Sequence, residues 1–98
     1  MKYKLIIRPE AENELEEGFA WYEERMPGLG SAFLLGIDAV INSVIRHPLQ
    51  YPIVHRNVRR AMPRRFPFQV LFIVDNEVIS ILAIFHGKRN PRRWQDRN

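Results

Sequence analysis

The sequence predicts an α+β fold: an N-terminal strand, then an antiparallel two-helix hairpin packed on a small, mainly antiparallel sheet, in the order β-α-α-β-β-β. Three observations lead there. Apolar residues recur at helical spacing in two successive segments, one on each side of Pro27-Gly28-Leu29-Gly30. Beyond Tyr51 the pattern changes, and Pro52, Pro63 and Pro67 exclude a further long helix. Two nearly continuous apolar runs, Phe68 to Val74 and Val78 to Phe85, are then separated only by Asp75-Asn76-Glu77. The chain has 98 residues, enough for one modest core, and 1–98 reads as a single domain.

The first strand spans Tyr3 to Arg8, a short segment rich in Leu and Ile. Pro9 suits the first turn of a helix, where its missing N–H costs nothing. Glu10, Glu12 and Glu14 complement the positive end of that helix's dipole. Ala11, Leu15, Phe19, Tyr22 and Met26 define its apolar face, with Gly18 on or beside it for close packing. Trp21 reads as core or helix-hairpin packing. Met26-Pro27-Gly28 ends the helix, because proline disfavours helical geometry in the residue before it. The short loop makes the next helix antiparallel, with Ser31 as its expected N-cap. Phe33, Ile37, Val40, Ile41, Val44 and Ile45 form the second stripe, which His47-Pro48 closes. Ile53 to Arg60 accommodates one short edge strand. A tight turn at Asp75-Asn76 pairs the last two strands as a hairpin. Both are apolar throughout, so each needs cover on two faces. The helices cover one, and the chain has little left for the other, which suggests a partner peptide or a basic rim over a shallow groove. The residues after Trp94 are expected to be loosely ordered.

Composition is that of a soluble globular protein, 46% hydrophobic and 27% charged. There is no cysteine, which excludes disulfides and thiolate-bound metal and fits a reducing compartment. Met1-Lys2-Tyr3-Lys4-Leu5 lacks the apolar run of a secretory signal. No stretch is read as reaching the roughly 18 apolar residues that cross a bilayer. The expected location is cytoplasmic, with no membrane partner. His47 and His55 stand apart from each other and from clustered carboxylates, so neither a metal nor a cofactor is expected.

Charge is divided unevenly. Residues 1–50 carry five Lys/Arg against eight Asp/Glu, a net −3, and residues 51–98 carry ten against three, a net +7. The alternatives are a charged partner for the C-terminal half or an uneven solvated surface, and the first is favoured because arginine clusters flank apolar strands. The densest cluster is His86-Gly87-Lys88-Arg89-Asn90-Pro91-Arg92-Arg93-Trp94-Gln95-Asp96-Arg97, which places positive charge at the end of a buried strand. Trp94 has two readings: it stacks on a base or packs on a partner, or it folds back and anchors the tail.

Several fragments in fixed order resemble one family. They are Pro9-Glu10-Ala11-Glu12-Asn13-Glu14-Leu15, Trp21-Tyr22-Glu23, Pro27-Gly28-Leu29-Gly30-Ser31-Ala32-Phe33, Val58-Arg59-Arg60, Arg65-Phe66-Pro67-Phe68 and the tail itself. The chain resembles the RelE/ParE superfamily of type II toxins, most closely the ParE-like plasmid-stabilisation branch. The resemblance implies a toxin encoded beside a labile antitoxin that neutralises it, with promoter DNA contacted through the antitoxin. It also implies one of two actions: inhibition of DNA gyrase, or cleavage of mRNA on the ribosome.

Metal-independent RNA cleavage needs a base for the 2′-OH, an acid for the leaving oxygen, and cations for the phosphate. If the chain is a nuclease, Arg60, Arg65, His86 and Arg89 are the catalytic candidates. Arg59, Arg64, Lys88, Arg92, Arg93 and Trp94 are the candidates for target or nucleic-acid binding, and the arginines are expected to form one rim. His86 is the candidate acid or base, with capping of a backbone carbonyl at a strand end as its other reading. The tyrosines all lie within the first 51 residues, lysines are few, and Asp96 aside no carboxylate stands among the arginines as an evident base. The catalytic set is therefore incomplete. The leading expectation is a ParE-like toxin acting by binding a target such as gyrase, with the RelE-type endonuclease and a non-toxic nucleic-acid-binding module as alternatives.

Overall fold

The computed structural model describes residues 3–97; Met1, Lys2 and Asn98, including the start of the N-terminal segment discussed above, lie outside them. Strand β1 (Lys4–Ile7) leads through Arg8 into helix α1 (Pro9–Arg25), with Pro9 in the first turn. Helix α2 (Leu29–Arg46) returns, a short 3-10 turn (Pro48–Gln50) follows, and four strands complete the sheet: β2 (Ile53–His55), β3 (Val58–Ala61), β4 (Phe68–Asp75) and β5 (Val78–His86). A one-turn helix α3 (Arg92–Gln95) ends the described chain. The strand order is β1-β5-β4-β3-β2, with β1 parallel to β5 and the other neighbours antiparallel. The fold class is the expected α+β. The segment expected to hold one edge strand forms two, joined at Arg56-Asn57, where Arg56 adopts a left-handed φ of 53°.

The helical hairpin turns at Gly28, whose φ of 91° favours glycine. Ser31 is not the cap of α2. Glu23 of α1 reaches over instead, and its carboxylate accepts the backbone N–H groups of Gly28 and Gly30, both at 3.0 Å. An anion at this helix end satisfies otherwise orphaned donors and complements the dipole. The buried face of α1 is Ala11, Gly18 and Tyr22, with Leu15 partly buried. Gly18 is required by close approach: a Cβ there would lie 2.7 Å from the Phe33 ring. Trp21 is 51% exposed rather than internal, and Met26, beyond the helix end, is 55% exposed. The Arg25 guanidinium stacks 3.5 Å from the centre of the Trp21 ring, which gives the exposed indole a local partner.

In α2, Phe33, Ile37, Ile41 and Val44 face the core. This helix has a mean hydropathy of 1.4 over 18 residues, long and apolar enough by length and composition to cross a membrane, contrary to the expectation that no such stretch exists. Between hairpin and sheet the rings of Tyr22, Phe33, Phe66 and Phe68 interlock, with centroids 4.8 to 5.2 Å apart for the tightest pairs.

The sheet's second face is not left open. Val58, Leu71, Leu82, Ala83 and Phe85 are buried there with Trp94, which retains 4% exposure. The tail, itself the basic segment, folds back across the sheet and supplies the cover for which a partner peptide or a basic rim was expected. It is also tied at its end: Arg97 pairs with Glu14 at 2.8 Å and donates to the Leu82 carbonyl at 3.1 Å. The expectation of loose order after Trp94 therefore fails for Arg97.

The apolar continuity of β5 has a local cause. Leu71 pairs with Ala83 but Phe72 pairs with Ile81, so Leu82 is an extra, bulged residue. Ile79 and Ile81 face the helices, Leu82 and Ala83 both face the tail, and Ile84 faces the helices again. Strict alternation would place Phe85 and His86 on the wrong faces.

Candidate functional site

Strand pleating separates the two arginines of β3. Arg59 stands opposite Phe72 on the helix side, and Arg60 stands opposite Leu71 on the tail side. Arg59 holds the backbone together: its guanidinium donates to the Tyr51 carbonyl at 2.7 Å and the Leu49 carbonyl at 3.3 Å, pinning the 3-10 turn. The Tyr51 hydroxyl in turn shares a 2.7 Å hydrogen bond with Ser43 of α2. The predicted single rim of arginines is thus not formed. The basic residues divide among three places.

The first is a small hollow of about 40 Å³ at the end of β5, lined by His86, Phe68, Gly18, Glu14, Glu17 and Arg89. His86 packs edge-on to Phe68 at 5.2 Å. Its Nδ1 accepts the Lys88 backbone N–H at 3.1 Å, so it caps an amide of the turn rather than a carbonyl. In the neutral ring the remaining proton then sits on Nε2. Sequence reasoning missed the two carboxylates, because they arrive from α1, some seventy residues away. Glu14 is already committed. It accepts the Ile84 N–H at 3.0 Å and holds Arg97 through both oxygens, at 3.0 and 2.8 Å. Hydrogen bonding to Glu14 pushes the Arg97 guanidinium further up from its ordinary value, against the opposing effect of burial.

The second place is a depression of about 270 Å³ on the tail face, where Arg60 and Arg89 meet Gln69, Phe85, Trp94 and Gln95. Arg89 is the residue common to both hollows. Trp94 contributes structure here, since it is buried and lies edge-to-face with His55 at 5.7 Å. Lys88 on the turn and Arg92 and Arg93 on α3 are exposed and do not line this depression.

The third is a groove of about 530 Å³ between α2 and the segment that links β3 to β4. Leu35, Gly36, Ala39 and Val40 form one wall, Met62, Pro63 and Phe66 the other, and Arg64 and Arg65 stand at its edge. Leu35 is 71% and Met62 57% exposed, so the groove is an apolar surface open to solvent. The signal in the sequence was an α2 apolar on more than one face, of which only one stripe is needed for the core.

The four catalytic candidates do not converge. His86 and Arg89 share the first hollow, Arg60 joins Arg89 on the opposite face of the sheet, and Arg65 lines the groove beside α2. Among the described residues no group of three or more His, Asp or Glu side chains is arranged to hold a metal ion.

A family model described as the ParE toxin of the type II toxin–antitoxin system, parDE, matches residues 5–91. The chain belongs to this ParE toxin family. Toxin ParE2 of Mycobacterium tuberculosis is 28% identical over 92 residues, which span 93% of this chain and 88% of that toxin. In fold, the chain is similar to the chromosomal ParDE toxin–antitoxin system from P. aeruginosa, with a TM-score of 0.78 and 21% identity over 87% of this chain and 96% of that one. It is also similar to the toxin–antitoxin complex RelBE2 from Mycobacterium tuberculosis, with a TM-score of 0.61 and 16% identity over 88% and 99% of the two chains. The protein is therefore a ParE-family toxin of the type II toxin–antitoxin class. The ParE match ends at Pro91, so the Trp94 plug and the Arg97 tie lie beyond it.

Proposed function

We propose that this ParE-family toxin acts in the cytoplasm by binding and inhibiting a macromolecular target such as DNA gyrase, without cleaving RNA. The observation that supports this reading is the placement of Arg60 and His86 on opposite faces of the sheet. A general acid or base must lie within about 3 Å of the group it protonates, while the phosphate is gripped from the same side. A gyrase supercoiling assay tests the target: inhibition is expected, and unimpaired supercoiling at saturating toxin removes gyrase. Primer extension on translated mRNA tests the alternative: uncut transcripts are expected, and discrete codon-spaced cuts would restore the RelE-type endonuclease.

The partner that neutralises it is a cognate antitoxin, through which promoter DNA is reached. The open groove beside α2 supports this part, since its apolar walls and the flanking Arg64 and Arg65 suit an amphipathic helix carrying acidic residues. A segment that orders only on binding would fit such a surface. Co-purification with the product of a neighbouring short reading frame is the expected result; a toxin that stays unbound and non-toxic when expressed alone would favour the plain nucleic-acid-binding module.

A further inference from the structure

Helix α1 buries Ala11, Gly18 and Tyr22 and leaves Glu10, Glu17, Trp21 and Glu24 exposed. Their successive spacings of seven, four and three residues put these four on one stripe of the helix surface. Trp21 is the unusual member. An indole that stays 51% exposed forgoes much of the burial a tryptophan offers a fold. Yet it is held in place. The Arg25 guanidinium stands 3.5 Å from its ring centre and donates to the Trp21 carbonyl at 3.2 Å. The Tyr22 ring meets it edge-on at 5.0 Å, and Tyr22 is itself wedged among Phe33, Phe66 and Phe68. A large side chain fixed before its partner arrives loses little freedom on binding. Tryptophan and arginine are also among the residues that most often dominate a protein interface.

The carboxylates narrow the partner. Among the described residues Glu10, Glu17 and Glu24 form no ion pair, and Arg25 offsets only one of the three charges. In a chain of net charge +4 the stripe is thus a negative surface with an apolar centre. It repels phosphate, so nucleic acid does not suit it. It equally repels the acidic residues that suit the groove beside α2, whose lining includes neither Trp21 nor any glutamate. The two surfaces therefore call for different partners. What fits the stripe is a protein surface whose cations surround a slot for an indole ring.

We infer that the Trp21 stripe of α1 is the face through which the toxin grips its target, a protein presenting a basic surface. The inference rests on the reading that the toxin acts by binding a target, and it does not require that target to be gyrase.

Growth arrest on induction of the toxin alone tests it whatever the target, and inhibition of supercoiling by the purified toxin tests it on gyrase. Trp21→Ala should abolish arrest at an expression level where the parent arrests. It should also raise the concentration for half-inhibition roughly tenfold or more, the scale of a dominant interface residue. Trp21→Phe should recover part of the loss. Glu17→Lys combined with Glu24→Lys should weaken both readouts, whereas Asp38→Lys, a charge reversal on the exposed surface of α2, should leave both unchanged. Every variant should still co-purify with the antitoxin. A parent that arrests growth but leaves supercoiling intact removes gyrase alone, and growth arrest then decides the inference. A parent that arrests nothing overturns the reading as a target-binding toxin and the inference with it. Undiminished arrest by Trp21→Ala, equal weakening by Asp38→Lys, or loss of antitoxin capture by Trp21→Ala with arrest retained overturns the inference alone. If Trp21→Ala fails to fold by circular dichroism, the double glutamate variant, altered only at exposed positions, carries the test.

Discussion

Glu14 of α1 and Arg97 of the tail, 83 residues apart, meet through two hydrogen bonds at the unpaired end of β5. Strand β1 stops opposite Ile81, and beyond it the backbone groups Leu82 C=O and Ile84 N–H are taken up by Arg97 and Glu14. The ion pair thus occupies the place of a missing strand. Glu14→Ala leaves a guanidinium and a backbone amide without partners. The expected loss is about 2 kcal/mol, below the figure for a fully buried pair because both side chains keep some solvent contact. For a domain of this size that lowers Tm by roughly 8–16 °C, measurable by calorimetry. A Tm within about 2 °C of the parent would show that the clasp contributes little.

Gly18→Ala decides between two opposing effects. Alanine improves helix propensity by about 1 kcal/mol. Its Cβ would press into the buried Phe33 ring at 2.7 Å, and that ring is held by Tyr22, Phe66 and Phe68. Overpacking of this kind costs about 1–3 kcal/mol, so net destabilisation of up to about 2 kcal/mol is expected in urea denaturation. A stabilised variant would mean that the hairpin shifts freely on the sheet.

Burial pushes the Tyr22 phenol above its ordinary value of 10.0. Its folded-state value exceeds its unfolded one, so its contribution is fully present below pH 10 and declines as pH rises through the folded-state value. As pH rises above 10 the parent should therefore lose more stability than Tyr22→Phe, which has no proton to lose. Equal losses in the two proteins would exclude this source.

The groove yields a functional prediction. Leu35→Glu places a charge on an exposed wall, where stability should change by less than about 0.5 kcal/mol. Growth arrest by the toxin alone should persist, while rescue by the co-expressed antitoxin should weaken. Full rescue would mean that the antitoxin binds elsewhere.

The helices and the β4–β5 hairpin were legible because each carries a long periodic or continuous apolar signal. Residues 53–61 were not, because two strands of three and four residues are too short for alternation to register. Trp21 misled through its size: the buried row of α1 runs through Gly18, which carries no side chain and so no hydrophobic signal. The rim of arginines failed for a simpler reason. Neighbours in a strand point to opposite faces, so Arg59 and Arg60 were never candidates for one surface. The carboxylates near His86 could not be found locally, since only the packing of α1 on β5 brings them there.

The bulge at Leu82 separates two properties of the basic segment that the sequence presents together. Its composition is written in residues 86–97, but its direction is set upstream, by one extra residue in the middle of the longest strand. Bulges bend and twist the strand that carries them. Gain or loss of a single codon there would re-aim the whole cluster without altering any charge within it. Related chains can therefore diverge in what this segment touches while its own sequence stays the same.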